Sequence, residues 1–146
     1  MRLTVQSDYA LRTLMYLAAT APRRATIREI AAAYGISRAH LMVLVHRLGE
    51  SGFLLNERGR GGGIRLARPA ARIRVGEVLR AVEPVFEPAE CFDARHNRCR
   101  ITPRCRLKRV FAEALDAWFT VLDGYTLADL VRRRRTDFVK LREDAR

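Results

Sequence analysis

Three cysteines are the residues best equipped for chemistry in this 146-residue chain. They stand at Cys91, Cys99 and Cys105, close together in one short stretch. Thiolates bind soft metals, and gaps of this width leave loop enough to wrap an ion or a cluster. An odd number does not suit a secreted disulfide framework; a metal site in a reducing, cytoplasmic compartment fits better. His96 lies between the first two cysteines, so Cys91, His96, Cys99 and Cys105 complete a tetrahedral zinc set of three thiolates and one imidazole. On spacing alone, zinc and an iron–sulfur cluster are both open. Catalysis has less to work with: the histidines His40, His46 and His96 form no acid–base constellation. The chain is therefore expected not to be an enzyme, and a cluster-bearing electron carrier with incidental charge is the competing reading from another class.

The charge balance names a partner. Lysine and arginine number 28 against 16 acidic residues, a net charge of +12. Such an excess on a small chain calls for a polyanion. Nearly all of it is arginine, Lys108 and Lys140 being the lysines, and arginine forks suit phosphate and guanine edges. No strongly basic amphipathic anchor or long apolar span points to a membrane. The apolar run Leu14 to Ala21 ends in small residues, but Asp8 and Arg12 interrupt what precedes it, so it reads as a helix rather than a signal peptide.

The elements that must position these groups follow from pattern. Ser7 can cap a first helix to about Ala21, with Ala10, Leu11, Leu14, Leu17 and Ala18 on its apolar face. Thr26 and Glu29 form a capping box for a second helix that ends at Gly35. Ser37 opens a third helix to about Ser51, buried through Leu41, Leu44, Val45 and Leu48. Phe53 to Asn56 and Ile64 to Leu66 read as strands joined by a turn over 58–63. Val75 to Val82 is a short helix, 84–104 is irregular, and Cys105 to Leu122 is a long helix. Thr126 with Asp129 starts another short one. Residues 132–146 read as a charged, frayed tail.

Two short helices joined by a tight glycine turn, with Ala31 at the crossing and Ile36 plugging it, make a helix-turn-helix. Its third helix offers Arg38, His40, Val43 and Arg47 to a major groove, Arg38 and His40 being the best candidates for base edges. Arg28 and Ser37 flank that surface. The hairpin tip carries Arg58, Arg60 and Arg65 among glycines, a basic wing able to lie along the backbone or enter a narrow minor groove. It lacks the Gly-Lys-Ser/Thr ending of a nucleotide loop. The fold expected is mainly α with a small β-wing: a winged helix-turn-helix (1–83), a cluster-binding loop (84–104), a dimerisation helix with the short helix after it (105–131), and the tail (132–146). Leu107, Phe111, Leu115, Trp118 and Leu122 line one face of the long helix, and Val110, Ala114, Ala117 and Val121 an adjoining one. That stripe is wide enough for its own domain and a symmetry mate. A two-fold homodimer predicts an inverted-repeat operator on double-stranded DNA with half-sites about one turn (~34 Å) apart.

Several stretches carry a resemblance: Asp8-Tyr-Ala-Leu-Arg12, Tyr34-Gly-Ile-Ser-Arg38, the wing Gly61-Gly-Gly-Ile-Arg-Leu66, Cys99-Arg-Ile-Thr-Pro-Arg-Cys105 and Tyr125-Thr-Leu-Ala-Asp-Leu130. Together they resemble the NsrR family of nitric-oxide-sensing iron–sulfur repressors, within the IscR-like winged-helix superfamily. The likeness runs to about Val131. It implies a homodimer with one 4Fe–4S cluster per subunit, ligated by Cys91, Cys99 and Cys105 and by Asp8 of the partner subunit, with nitric oxide as signal. Arg12, one turn beyond Asp8, would hold that carboxylate toward iron. Relatives with a histidine ligand place it where this chain has Lys108. The first cysteine gap is longer than the family's, which leaves His96 as a substitute ligand. Taken without the resemblance, Asp8 reads better as a first-turn acid opposing the helix dipole.

Overall fold

A computed structural model describes residues 3–57, 59, 62–83, 85–132 and 135–144. The described residues form seven helices and a two-stranded antiparallel sheet. The central element is α1 (Val5–Thr20), which buries Ala10, Leu14, Tyr16, Leu17 and Ala18. It starts at Thr4 rather than Ser7: the Thr4 hydroxyl accepts the Ser7 amide at 3.4 Å. Both residues can cap, and the earlier start places Asp8 in the first turn and Ser7 inside the fold.

The reading unit forms as its spacing predicts. α2 (Ile27–Tyr34) is capped by Thr26, whose hydroxyl accepts the Glu29 amide at 3.1 Å. It ends at Gly35, whose φ of 62° is the left-handed conformation glycine adopts without strain. Ile36 then donates to the Ala31 carbonyl at 2.9 Å and plugs the crossing. α3 (Arg38–Glu50) buries Leu41, Leu44, Val45 and Leu48. β1 (Leu54–Glu57) pairs with β2 (Gly63–Leu66), Leu54 opposite Leu66 and Glu57 opposite Gly63. Ala25 and Ile64 exchange amide bonds of 3.1 and 2.8 Å, stitching the wing to the loop before α2. A Cβ on Gly63 would lie 2.8 Å from the Ala25 carbonyl, so glycine is required at that approach.

α4 (Val75–Val82) buries Val75, Val78, Leu79 and Val82 and packs on α1. α5 (Arg106–Asp123) behaves differently: over the described residues none of its side chains is buried. It is fastened to α4 at one end. Arg80 forks onto Asp123 at 2.9 and 2.6 Å and lies over the Phe119 ring. Phe86 meets Trp118 and Phe119 at ring-centroid distances of 5.7 and 4.8 Å. Gly76 leaves room for this latch, since a Cβ there would collide with Asp123 Oδ1. The remaining apolar width of α5 lies open, with Leu107, Val110 and Val121 exposed.

α6 (Leu127–Val131) has the reciprocal Thr126–Asp129 box that its sequence announces. It turns back to the reading unit, burying Leu127 and Val131 against α1. Within the charged stretch expected to fray, the described residues form a helix: α7 (Arg135–Asp144) packs on α1 and α2. Phe138, 8% exposed, joins the core there, and burial of that ring overrides a polar composition.

Candidate nucleic-acid interface and sensor loop

The outer face of α3 is built by its inner one. Leu41, Leu44, Val45 and Leu48 fix its rotation, and Arg38, Ala39, His40, Met42 and Val43 are left in solvent. Arg28 on α2 and Ser37 are exposed beside them. Ser37 occupies the cap position, but its hydroxyl makes no capping bond among the described residues. Arg47 does not simply project outward: its guanidinium donates to the Gln6 side-chain carbonyl on α1. On the wing, Arg65 donates through Nε to Glu57 at 2.9 Å, while Arg24 reaches the other Glu57 oxygen at 2.6 Å. Those arginines, the Arg65 hydrogen bond first, hold the Glu57 carboxyl below its ordinary value. Arg58 and Arg60 lie outside the described residues.

Behind α3, Tyr16 donates its hydroxyl to Glu29 at 2.6 Å, and Arg23 grips the same carboxylate. Burial alone would raise the Glu29 carboxyl; the Arg23 and Tyr16 hydrogen bonds outweigh it and the net shift is downward. This triad, with Tyr16 buried and Arg23 at the surface, joins α1, the following loop and α2.

In the cysteine-bearing stretch all three thiols are free and half-buried. Cys91 sits in a short turn over Glu90–Phe92, and Cys105 is the residue before α5. Between Cys99 and Cys105 the backbone is tied: Asn97 Oδ1 accepts the Cys99 amide at 3.0 Å, Thr102 donates to the Cys99 carbonyl at 2.8 Å, and the Cys105 amide donates to the Thr102 carbonyl at 3.3 Å. His96 is turned away, 81% exposed, with Nδ1 2.5 Å from Asp93. Among the described residues no three His, Cys, Asp or Glu side chains are gathered as a metal site, so the zinc set Cys91, His96, Cys99 and Cys105 is not assembled within one chain. Asp8 stands on the first turn of α1, half exposed, in a two-point ion pair with Arg12 at 2.8 and 2.9 Å.

One residue of this region had no sequence signal. Glu83, the last residue before the loop, is 9% exposed, and its carboxylate accepts from the Thr4 amide at 3.1 Å, the Thr4 hydroxyl at 3.0 Å and the Ser7 hydroxyl. Burial pushes its carboxyl up; the Ser7 and Thr4 bonds together more than reverse that.

The sequence profile described as "Rrf2: Iron-dependent Transcriptional regulator" matches residues 3–133. The chain belongs to the Rrf2 family. Its relatives include the HTH-type transcriptional regulator NsrR of Bacillus subtilis (strain 168), 49% identical over 142 residues and 97% of each chain. The NsrR of Geobacillus kaustophilus (strain HTA426) is 47% identical over 135 residues, 92% of each chain. Among solved structures, CymR (YrzC), the global cysteine regulator of B. subtilis, superposes with a TM-score of 0.76 at 24% identity, covering 91% of this chain and 98% of that one. The Rrf2 assignment makes this chain a DNA-binding transcriptional regulator of the repressor type with a winged helix, as its sequence implied. No helix among the described residues is long and apolar enough to cross a membrane.

An Rrf2 regulator with an iron–sulfur centre needs thiolate donors on one segment. The donor set here suits one: three thiols, none in a disulfide, half-buried between Cys91 and Cys105. Within the single chain, over the described residues, these thiols are not gathered into one site.

Proposed function

We propose that the chain is a cytoplasmic homodimeric repressor whose operator affinity answers to nitric oxide through a 4Fe–4S cluster, one per subunit. Cys91, Cys99 and Cys105 would hold it, with Asp8 of the partner subunit as the fourth ligand. When bound, such a cluster supplies iron that reacts with nitric oxide. The observation that carries the reading is the likeness along 97% of the chain to a regulator named NsrR, combined with three free thiols in the one segment that needs them.

The chain's own residues do the rest. Residues 1–83 bind DNA: Arg38, His40 and Val43 face the major groove, Arg28, Ser37 and Arg47 flank it, and Arg58, Arg60 and Arg65 serve the wing. Residues 84–104 carry the thiols, and 105–131 pair the subunits through the open face of α5. Asp8 is charged and neutralised by Arg12, so withdrawing it from the partner's site leaves no bare carboxylate. Because α1 packs directly on α3, a shift of Asp8 is a shift at the base of the reading helix.

The test is composition. Protein purified without oxygen should be brown and hold iron and acid-labile sulfide in equal amounts. Asp8→Ala and Cys91→Ala subunits, each unable to form a loaded homodimer, should recover about a quarter of the wild-type iron when mixed in equal amounts, because half of the dimers are then heterodimers and one of the two sites in each is complete. Colourless protein carrying zinc would overturn the reading.

A further inference from the structure

We propose that Glu83 is a positioning residue: it fastens the end of α4, where the sensor loop begins, to the first turn of α1, and through that turn sets the placement of Arg47 on the reading helix. This rests on α3 being the element that reads DNA.

One carboxylate oxygen makes the link. Glu83 Oε2 accepts three bonds, two from Thr4 and one from Ser7, residues 79 and 76 positions away in sequence. Ser7 is fully buried. A negative group at this end of α1 meets the unsatisfied amides and the positive end of the helix dipole. The turn it holds is not an ordinary one. Gln6, Ser7 and Asp8 are consecutive, and each side chain has a different destination: Gln6 accepts from Arg47 of α3, Ser7 donates to Glu83, and Asp8 pairs with Arg12 on the surface. Loop hinge, reading helix and candidate ligand thus meet on one helical turn.

The packing leaves a gap on the α3 side of that turn. Val5, Gln6 and Tyr9 of α1 and His40, Val43 and Arg47 of α3 line a cavity of about 280 Å³ between the two helices. Close-packed elements transmit motion but resist re-registration; here the Arg47–Gln6 hydrogen bond links the first turn to α3 beside that gap. Remove the Glu83 link and the turn is restrained mainly by Thr4's own cap, so Gln6 no longer presents a fixed acceptor to Arg47. A buried carboxylate that served stability alone would lower the melting temperature without touching DNA affinity in the folded protein.

The experiment uses the full chain as purified without oxygen and the inverted-repeat duplex that wild-type protein selects from a randomised pool. Glu83→Gln keeps the size and one acceptor and removes the charge. It should weaken binding roughly fivefold or more and speed amide exchange at Ser7 and Asp8 about tenfold. Gln6→Ala should weaken binding comparably, and the double variant should be no weaker than the weaker single, since both act through one turn. Ser7→Ala, which deletes one hydroxyl, gives the same readings if Glu83→Gln does not fold. Binding within twofold of wild type with a lowered melting temperature, or losses that multiply in the double variant, would overturn the proposal. If Arg38→Ala also leaves binding intact, the reading-helix assignment fails instead, and exchange at Ser7 and Asp8 still decides whether Glu83 holds the turn.

Discussion

Replacing Tyr16 by phenylalanine isolates one buried bond at the junction of α1 and α2. The ring is fully buried and packs edge-on against Tyr34 at 6.0 Å, and phenylalanine preserves both features. What is lost is the 2.6 Å bond from the phenol to Glu29. A hydrogen bond to a charged acceptor contributes about 1.5–3 kcal/mol, and Glu29 is mostly buried, so solvent does little to replace it. Arg23 still neutralises the carboxylate, which keeps the cost within that range. At about 2–4 °C per kcal/mol for a chain of this size, the melting temperature should fall by about 3–12 °C at pH 7 and fixed protein concentration. The pH dependence gives a second handle. Burial, then the Glu29 bond and charge, raise the Tyr16 phenol well above its ordinary value. A raised folded-state value stabilises below the unfolded-state pKa and loses that contribution as pH rises past it. The gap between wild type and Tyr16→Phe should therefore close as pH climbs above about 10. A loss under about 0.5 kcal/mol at pH 7, with no narrowing at high pH, would show that the triad does not hold the two helices together.

Gly76→Ala should cost about 1–3 kcal/mol by overpacking, because its Cβ collides with Asp123; adding Arg80→Ala should cost little more, which chemical denaturation of the double variant checks. Stability should fall as pH drops through about 4.3, since Glu29 and Glu83 both have lowered folded-state values whose contribution exists above the unfolded-state pKa and vanishes below the folded one; a melting temperature flat from pH 6 to 3 would contradict this. Arg38→Ala and His40→Ala should weaken operator binding by roughly 1–3 kcal/mol each while leaving the melting temperature within about 2 °C, seen by titration and calorimetry. Leu107→Arg with Val110→Glu should convert the proposed dimer to monomer in analytical ultracentrifugation, since both side chains lie on the open face of α5.

Much of this was legible in the residues because the forces are local. The apolar spacing of Val75, Val78, Leu79 and Val82 delimits α4 without help from the rest of the chain, and the glycine after Tyr34 ends α2 for the reason glycine ends helices. The start of α1 was not legible, because Thr4 and Ser7 are both competent caps and the choice depends on Glu83, far off in sequence. α7 reads as solvated tail since most of it is charged; its helix rests on Phe138 and Leu141, one turn apart, finding a groove made by α1 and α2. Within the site, three cysteines declare thiolate chemistry, and their order along the chain says nothing of how they are brought together. Arg47 is instructive in another way: helical phase places it on the reading surface, but its bond to Gln6 is a contact between helices that no period reveals.

A switch of this kind requires that a signal at the thiols change DNA binding. Operator affinity should be followed by fluorescence anisotropy in one anaerobic sample while nitric oxide is added in steps. We expect tight binding before addition and a progressive loss that ends when the cluster absorbance stops changing. Affinity that stays constant through complete reaction of the cluster would contradict it.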